Sequence, residues 1–102
     1  MKGKKITQSD ICFLIRAYNE ATRIGAVIDS IIAAGYKKIC VVNDGSKDGT
    51  EAIARSYTNV IYLEHSYNRG GGAALETGFE FLRRNAETLG IHFVVTFDAD
   101  GQ

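Results

Sequence analysis

Hydrophobic positions along the chain alternate between two spacings. An unbroken apolar run at residues 11–15 is typical of a strand covered on both faces. Apolar residues then recur at 24, 27, 28, 31 and 32, the spacing of one helix face, and Gly35 ends that stretch. The unit repeats, which predicts further strands at 38–42, 60–63 and 93–97 and further helices at 50–57 and around 74–82.

Strands that alternate with helices form βαβ units, in which the crossover makes neighbouring strands parallel. The predicted fold is therefore α/β, a three-layer βαβ sandwich around a small, mainly parallel four-stranded sheet. Polar and glycine residues concentrate after the strands, in segments 16–20, 43–49, 64–72 and 98–102. Because open α/β sheets bind ligands at the carboxyl ends of their strands, we expect a ligand site at this edge.

The composition narrows the class of protein. Apolar residues make up 45% and charged residues 24% of the 102 positions, as in ordinary globular domains. Twelve basic and twelve acidic residues cancel, which removes the electrostatic argument for a nucleic-acid or anionic-membrane partner. We therefore expect one domain over residues 11–102, preceded by a basic tail at residues 1–10.

The cysteines and the hydropathy bear on location. Cys12 and Cys40 fall within predicted buried strands and lack metal-site spacing, so we expect reduced, structural thiols. The sequence contains neither an apolar run of about 18 residues nor the apolar segment of a signal peptide. We expect a cytoplasmic protein, or one at the cytoplasmic face of a membrane if the whole protein carries an anchor.

Two carboxylates, Asp98 and Asp100, follow the last predicted strand. At positions i and i+2 of an extended chain they project to the same side and can approach one hard cation. Mg²⁺ is typically held by one or two carboxylates and substrate phosphates, and it would neutralise a departing diphosphate. A polar turn that closes the strand explains the pair equally well.

Two further carboxylates follow the second predicted strand. Asp44 at the sheet edge can accept hydrogen bonds from a nucleobase or ribose. Asp48, with Glu51 three residues later, has the spacing of a helix-capping pair. We therefore favour a ligand role for Asp44 and a structural role for Asp48.

A glycine run precedes the longest predicted helix. In Asn68-Arg69-Gly70-Gly71-Gly72 the glycines let backbone N–H groups approach an anion at the positive end of a helix, and the arginine can pair with phosphate. A flexible turn with a solvated arginine explains the run equally well. It is not a P-loop, and residues 16–20 lack the dinucleotide-binding glycine pattern.

The segment after the first strand offers an aromatic ring and a carboxylate. Tyr18 can stack on a base, and Glu20 can bind ribose hydroxyls. Asn19 as a helix N-cap, with Glu20 in the first turn, would explain two of these residues without a ligand. We expect partly exposed structural roles for His65 and His92, which lie at strand termini.

Together, four segments resemble the family 2 glycosyltransferases, enzymes with the A-type fold. The segments are residues 17–20, residues 41–50, residues 68–74 with Gly78 and Phe79, and residues 98–102. The Asp-Ala-Asp-Gly-Gln ending is similar to the branch that transfers sugar to polyprenyl phosphates, the dolichol-phosphate mannose synthase type. Two positions depart from the family pattern: Arg16 stands where proline is usual, and Gly71 stands where lysine or leucine is frequent.

The resemblance implies an inverting transferase that takes a UDP- or GDP-linked sugar, with Mg²⁺ or Mn²⁺ on the diphosphate. It implies a polyprenyl phosphate or cell-envelope glycan as acceptor. By position, it implies that Asp98 and Asp100 hold the metal and that the donor is bound by Ala17, Tyr18, Glu20, Asp44, Asn68, Arg69, Gly70, Asp98 and Ala99.

The resemblance places acceptor-binding and catalytic residues beyond Gln102. We therefore expect a donor-binding fragment of a longer protein that is almost inactive alone and self-associates. Two other functions stay open. A non-catalytic module would bind nucleotide without metal dependence, and a nucleotidyltransferase would need a glycine-rich, basic loop after the first strand, which residues 16–20 do not supply.

Overall fold

The computed structural model describes residues 5–99. Within them, four strands form one sheet and three α-helices connect the strands. The strands are β1 (Ile11–Ala17), β2 (Lys38–Asp44), β3 (Val60–His65) and β4 (Phe93–Asp98). The helices are α1 (Ile24–Ala33), α2 (Thr50–Arg55) and α3 (Gly71–Leu89). The sheet order is β3-β2-β1-β4 and every neighbouring pair is parallel, so the predicted α/β fold is confirmed.

The two faces of the sheet carry different helices, which explains the unbroken apolar runs. Successive strand residues point to opposite faces, so β1 and β2 must be apolar on both. α1 and α2 cover one face, where the core includes Ile15, Ile24, Ile28, Ile39, Val41 and Ala54. α3 covers the other face, where the core includes Cys12, Leu14, Cys40, Val42, Ala74 and Leu82.

The cysteines belong to the core beneath α3. Both thiols are buried and free of a disulfide. Burial raises the pKa of Cys12 to about 11 and that of Cys40 to about 12, so both stay protonated and unreactive at neutral pH. No helix within residues 5–99 is long and apolar enough to cross a bilayer.

The described end of the predicted tail packs against the domain. Residues Gln8–Asp10 form a short 3₁₀ helix before β1. The Gln8 side-chain amide donates a hydrogen bond to the carbonyl of Ala34, 2.8 Å away, at the end of α1.

Strand register places the polar residues of the chain at one edge. β1 lies in the interior of the sheet, with Ala17 opposite Asn43 of β2 and Arg16 opposite Asp98 of β4. The chain runs from β1 through β2 to β3 on one side and returns to the other side of β1 as β4, so the strand order reverses at β1. A crevice at such a switch point is the usual ligand site of an open α/β sheet.

α3 approaches the sheet closely because it carries a glycine at the contact. A methyl group at Gly78 would lie 2.4 Å from Cδ1 of Leu14 in β1. This contact sets the distance of α3 from the sheet. The helix therefore holds its N-terminal residues directly above the carboxyl ends of β1 and β2.

We expect Gly78→Ala to lower the free energy of unfolding by about 1–3 kcal/mol, because the added methyl overpacks a closed core. Gly72→Ala is the matched control, since the space around Gly72 is open within 4 Å. Urea denaturation followed by circular dichroism measures both. Equal stability of the two variants would contradict the close contact.

Candidate functional site

A cleft of about 240 Å³ opens at the carboxyl edge of the sheet. The ends of β1, β2 and β4 form its floor, and the first turns of α3 form one wall. Its lining comprises Arg16, Ala17, Tyr18, Glu20, Asp44, Asn68, Gly71, Ala74, Asp98 and Ala99. The edge at which we expected a ligand site therefore carries a concave surface. Polar side chains and the first residues of α3 line it.

Most of the predicted donor-binding residues meet in this cleft. The lining includes Ala17, Tyr18, Glu20, Asp44, Asn68, Asp98 and Ala99. Arg69 and Gly70 are not part of the lining, and Asp100 lies outside the described residues. The structure adds Arg16, Gly71 and Ala74, which the motifs did not assign to the site.

Asp44 anchors the loop that precedes α3. The residue is 3% exposed. Its Oδ1 accepts the backbone N–H of Arg69 at 2.9 Å, and its Oδ2 accepts the backbone N–H of Gly70 at 2.8 Å. The Asn68 amide donates to Oδ2 at 3.2 Å, and Nδ1 of His65 lies 2.7 Å from Oδ1. Four donors therefore meet the roughly four acceptor positions of one carboxylate.

This arrangement changes how Asp44 can act. The backbone N–H of Gly70, one of the glycines that could approach a ligand anion, is directed at Asp44 instead, as is the backbone N–H of Arg69. Asp44 can accept a hydrogen bond from a base only if one of its four present donors leaves, so the predicted base contact stays a prediction. In the structure Asp44 holds the loop before α3, and this loop shapes the cleft wall.

Burial by itself raises the pKa of Asp44, but the hydrogen bonds from Arg69, His65 and Gly70 outweigh it. The pKa of Asp44 therefore lies below its ordinary value, and the carboxylate is ionised at neutral pH.

His65 supports Asp44 from β3. It is buried rather than partly exposed, because the parallel register sets it directly beside Asp44. Since a carboxylate only accepts, the His65 Nδ1–H donates to Asp44. Its Nε2 lies 2.8 Å from Oγ1 of Thr77 in α3. The structural role expected of His65 agrees with these contacts, which hold the Asp44 carboxylate in place.

The loop after β1 is held by the loop after β2. Asn19 has φ 53°, a conformation that asparagine tolerates better than most residues. Its N–H donates to Ser46 Oγ at 2.8 Å, and its Oδ1 accepts the Lys47 N–H at 2.9 Å. The interpretation of Asn19 as a helix N-cap was wrong, because the N-cap residue of α1 is Arg23 and the helix begins at Ile24.

Asp48 and Thr50 complete this connection between loops. Asp48 Oδ2 accepts the N–H of Ala21 at 3.1 Å, and Thr50 Oγ1 accepts that of Glu20 at 2.9 Å. Asp48 also accepts the N–H of Thr50, although the N-cap residue of α2 is Gly49. The preference for a structural role of Asp48 agrees with these contacts.

These bonds orient two candidate ligand side chains. Tyr18 is 44% exposed, so its ring is available at the cleft. The Glu20 carboxylate lies in the lining and accepts a hydrogen bond from Arg23 Nη1 at 3.2 Å. An aromatic ring and a carboxylate are therefore both available in the lining of the cleft.

Arg16 and Asp98 form an ion pair on the cleft floor. Arg16 Nε lies 2.6 Å from Asp98 Oδ1, and Nη2 lies 3.1 Å from Oδ2, so the guanidinium engages both oxygens. The two side chains are 40% and 32% exposed. The sequence marked both positions, Arg16 as a departure from the family and Asp98 as a metal ligand, but did not connect them.

The donor chemistry of the floor fits one hard cation in part. Asp98 offers a partly exposed carboxylate, and Mg²⁺ commonly uses only one or two carboxylates together with water and phosphate oxygens. Within residues 5–99 no group of three or more histidine, cysteine or acidic side chains could form a protein-only metal cage. A cation held by Asp98 would need further ligands, a role that water and substrate phosphates commonly fill.

Residues 12–102 match the model of glycosyl transferase family 2. The chain belongs to this family. It is 40% identical over 98 residues to an uncharacterized protein of Methanocaldococcus jannaschii, an alignment that covers 96% of this chain and 38% of that protein. It is 35% identical over 108 residues to the UDP-N-acetylglucosamine–dolichyl-phosphate N-acetylglucosaminyltransferase of Methanococcus voltae, covering 90% of this chain and 41% of that enzyme.

A solved structure confirms the A-type fold of this family 2 chain. The chain is similar to glucosyl-3-phosphoglycerate synthase from Mycobacterium tuberculosis, solved with Mn²⁺, UDP and glucosyl-3-phosphoglycerate. The TM-score is 0.65 at 24% identity, over 87% of this chain and 33% of that protein. This family 2 chain therefore spans well under half the length of these relatives.

We expect Asp44→Asn to lower the free energy of unfolding by about 1–3 kcal/mol at pH 7, because an asparagine amide cannot accept both backbone N–H groups. Asp29→Asn is the control, since Asp29 is exposed and the amide oxygen can still accept from Tyr57. Urea denaturation measures both. A wild-type-like Asp44→Asn variant would show that the carboxylate does not anchor the loop.

The difference in stability between wild type and Asp44→Asn should also depend on pH. The folded pKa of Asp44 lies below its unfolded value of about 3.9, so the unfolded chain takes up this proton first as the pH falls. The contribution of Asp44 is therefore present above about pH 4 and is lost as the pH falls through the folded pKa. We expect the stability gap between wild type and Asp44→Asn to narrow as the pH falls below about 4.

Proposed function

We propose that this chain is the donor-binding part of a metal-dependent, inverting glycosyltransferase that uses a nucleotide-diphospho-sugar. The observation that carries the proposal is the convergence, in one cleft of a family 2 chain, of Tyr18, Glu20, the loop anchored by Asp44, and Asp98. Relatives that act on dolichyl phosphate support a polyprenyl phosphate as acceptor in the whole protein. A cell-envelope glycan is the alternative acceptor.

Each side chain has a role that its surroundings suit. The exposed Tyr18 ring packs on the base, and Glu20 accepts hydrogen bonds from ribose hydroxyls. Asp44 positions Asn68 and the α3 N-terminus against the donor. Asp98, together with Asp100 by sequence position, holds the metal, and Mg²⁺ or Mn²⁺ bound there would neutralise the departing diphosphate. The Mn²⁺ and UDP in the Mycobacterium tuberculosis neighbour support this assignment.

The acceptor decides whether a general base is required. A polyprenyl phosphate is already anionic, so it can attack the anomeric carbon without losing a proton, whereas a hydroxyl acceptor must transfer one. We assign no catalytic base to residues 5–99 and propose that acceptor-binding groups lie beyond Gln102. The chain alone then has little transferase activity. Catalysis on the cytoplasmic side stays a prediction.

We expect UDP or GDP to bind this chain at least tenfold more tightly with Mn²⁺ than with EDTA, and Asp98→Ala to remove that difference. Asp29→Ala, on the exposed side of α1, is the control. Isothermal titration calorimetry with UDP and with GDP, each in Mn²⁺ and in EDTA, measures these affinities and identifies the preferred base. Binding that is equal with and without metal favours a non-catalytic nucleotide module. An absence of binding up to millimolar nucleotide would count against the donor site.

We also expect the chain to self-associate. β4 is an edge strand of the described sheet, and Phe93 and Val95 on it are largely exposed. Such an edge is a template for pairing with another strand. Sedimentation equilibrium at several concentrations should show an average mass that rises with concentration, and Val95→Lys should suppress the rise. A strictly monomeric wild-type chain would contradict this.

A further inference from the structure

Two departures from the family pattern touch one another in the structure. Arg16 replaces the usual proline at the end of β1, and Gly71 replaces a larger residue at the first position of α3. A methyl group at Gly71 would lie 1.5 Å from Nη1 of Arg16. The guanidinium of Arg16 thus occupies space that any side chain at position 71 would need. The arginine at position 16 is therefore accommodated by the glycine at position 71.

We propose that Arg16 binds the diphosphate of the donor, a role that rests on the proposed function of the cleft. Arg16 is on the α3 side of the sheet because Cys12 and Leu14, four and two positions before it, pack in the core beneath α3. Its side chain is 40% exposed and lines the cleft. A long cation is therefore directed into the site from the interior strand β1.

The geometry of the guanidinium suits a phosphate. Arg16 already uses Nε and Nη2 as a fork on the two oxygens of Asp98. Carboxylate and phosphate present similarly spaced oxygen pairs, which is why the arginine fork recognises both. Asp98 thus occupies, in the free chain, a fork that two diphosphate oxygens can take when the donor is bound.

The position of Arg16 also suits a diphosphate. The fork lies on the cleft floor beside the proposed metal ligand Asp98, next to the first residue of α3. In the structure Asp98 pairs with the guanidinium and Asp44 accepts the N–H of Gly70, the N-cap of α3, so a diphosphate would take the place of Asp98 on the fork.

The test separates diphosphate from nucleoside binding. In calorimetry with Mn²⁺, we expect Arg16→Gln to weaken UDP or GDP binding at least tenfold, with uridine or guanosine binding unchanged. Arg16→Lys, which keeps the charge but not the fork, should fall between. Equal affinity of wild type and Arg16→Gln for the diphosphate overturns the proposal, as does an equal loss for nucleoside and diphosphate.

A second pair of variants leaves Arg16 in place. Because Nη1 lies at the far end of a flexible side chain, Gly71→Ala should shift the guanidinium and weaken UDP or GDP binding in the same direction as Arg16→Gln. Gly72→Ala, one residue further along the same helix, adds its methyl to open space and should bind as wild type does. Equal binding by Gly71→Ala and Gly72→Ala counts against the proposal. Because both variants keep Arg16, this comparison tests the proposal even if Arg16→Gln fails to fold.

Inorganic pyrophosphate tests Arg16 apart from the nucleotide site. We expect the ³¹P resonance of pyrophosphate, titrated in EDTA, to shift with wild-type chain and to shift much less with Arg16→Gln. If pyrophosphate binds through Arg16 while neither nucleotide binds, the inference holds and the proposed donor specificity fails. If neither wild type nor Arg16→Gln binds pyrophosphate, the inference is overturned.

Discussion

The candidate site depends on one buried carboxylate. Asp44 lies at the end of β2 and receives hydrogen bonds from the loop before α3, from β3 through His65, and through that histidine from α3 itself. A buried charge is tolerated only where hydrogen bonds replace its lost water, and here those bonds come from elements that surround the cleft. The same interaction therefore satisfies a charge and sets the shape of the cleft wall.

The sequence predicted the sheet, the order of its elements and the edge that carries the site. It did so because runs that are buried on both faces and helices with one apolar face have distinct periods, and Ile11–Ala17 and Ile24–Ala33 show them clearly. Local capping was less predictable. Asn19 and Asp48 have the residue types of helix caps, but each binds the neighbouring loop, 27 or 28 residues away in sequence.

The partners of the site residues could not be obtained from spacing. Asp44 is 21 residues from His65 and 26 from Gly70, and only the β2–β3 register and the start of α3 bring them together. Arg16 and Gly71 carried a different kind of signal. Each departs from the pattern of the family, and the contact between them explains the glycine, because the guanidinium of Arg16 fills the space that a side chain at position 71 would need.

The ion pair on the cleft floor also bears on how such a chain is made. Arg16 and Asp98 are 82 residues apart, and β4 occupies the side of β1 away from β2. During synthesis from the N-terminus, β1, β2 and β3 leave the ribosome before the strand that covers this side of β1. Until β4 docks, the nascent sheet has an apolar strand with an open edge, the kind of surface that chaperones protect. The cleft is thus the last part of the described fold to be completed.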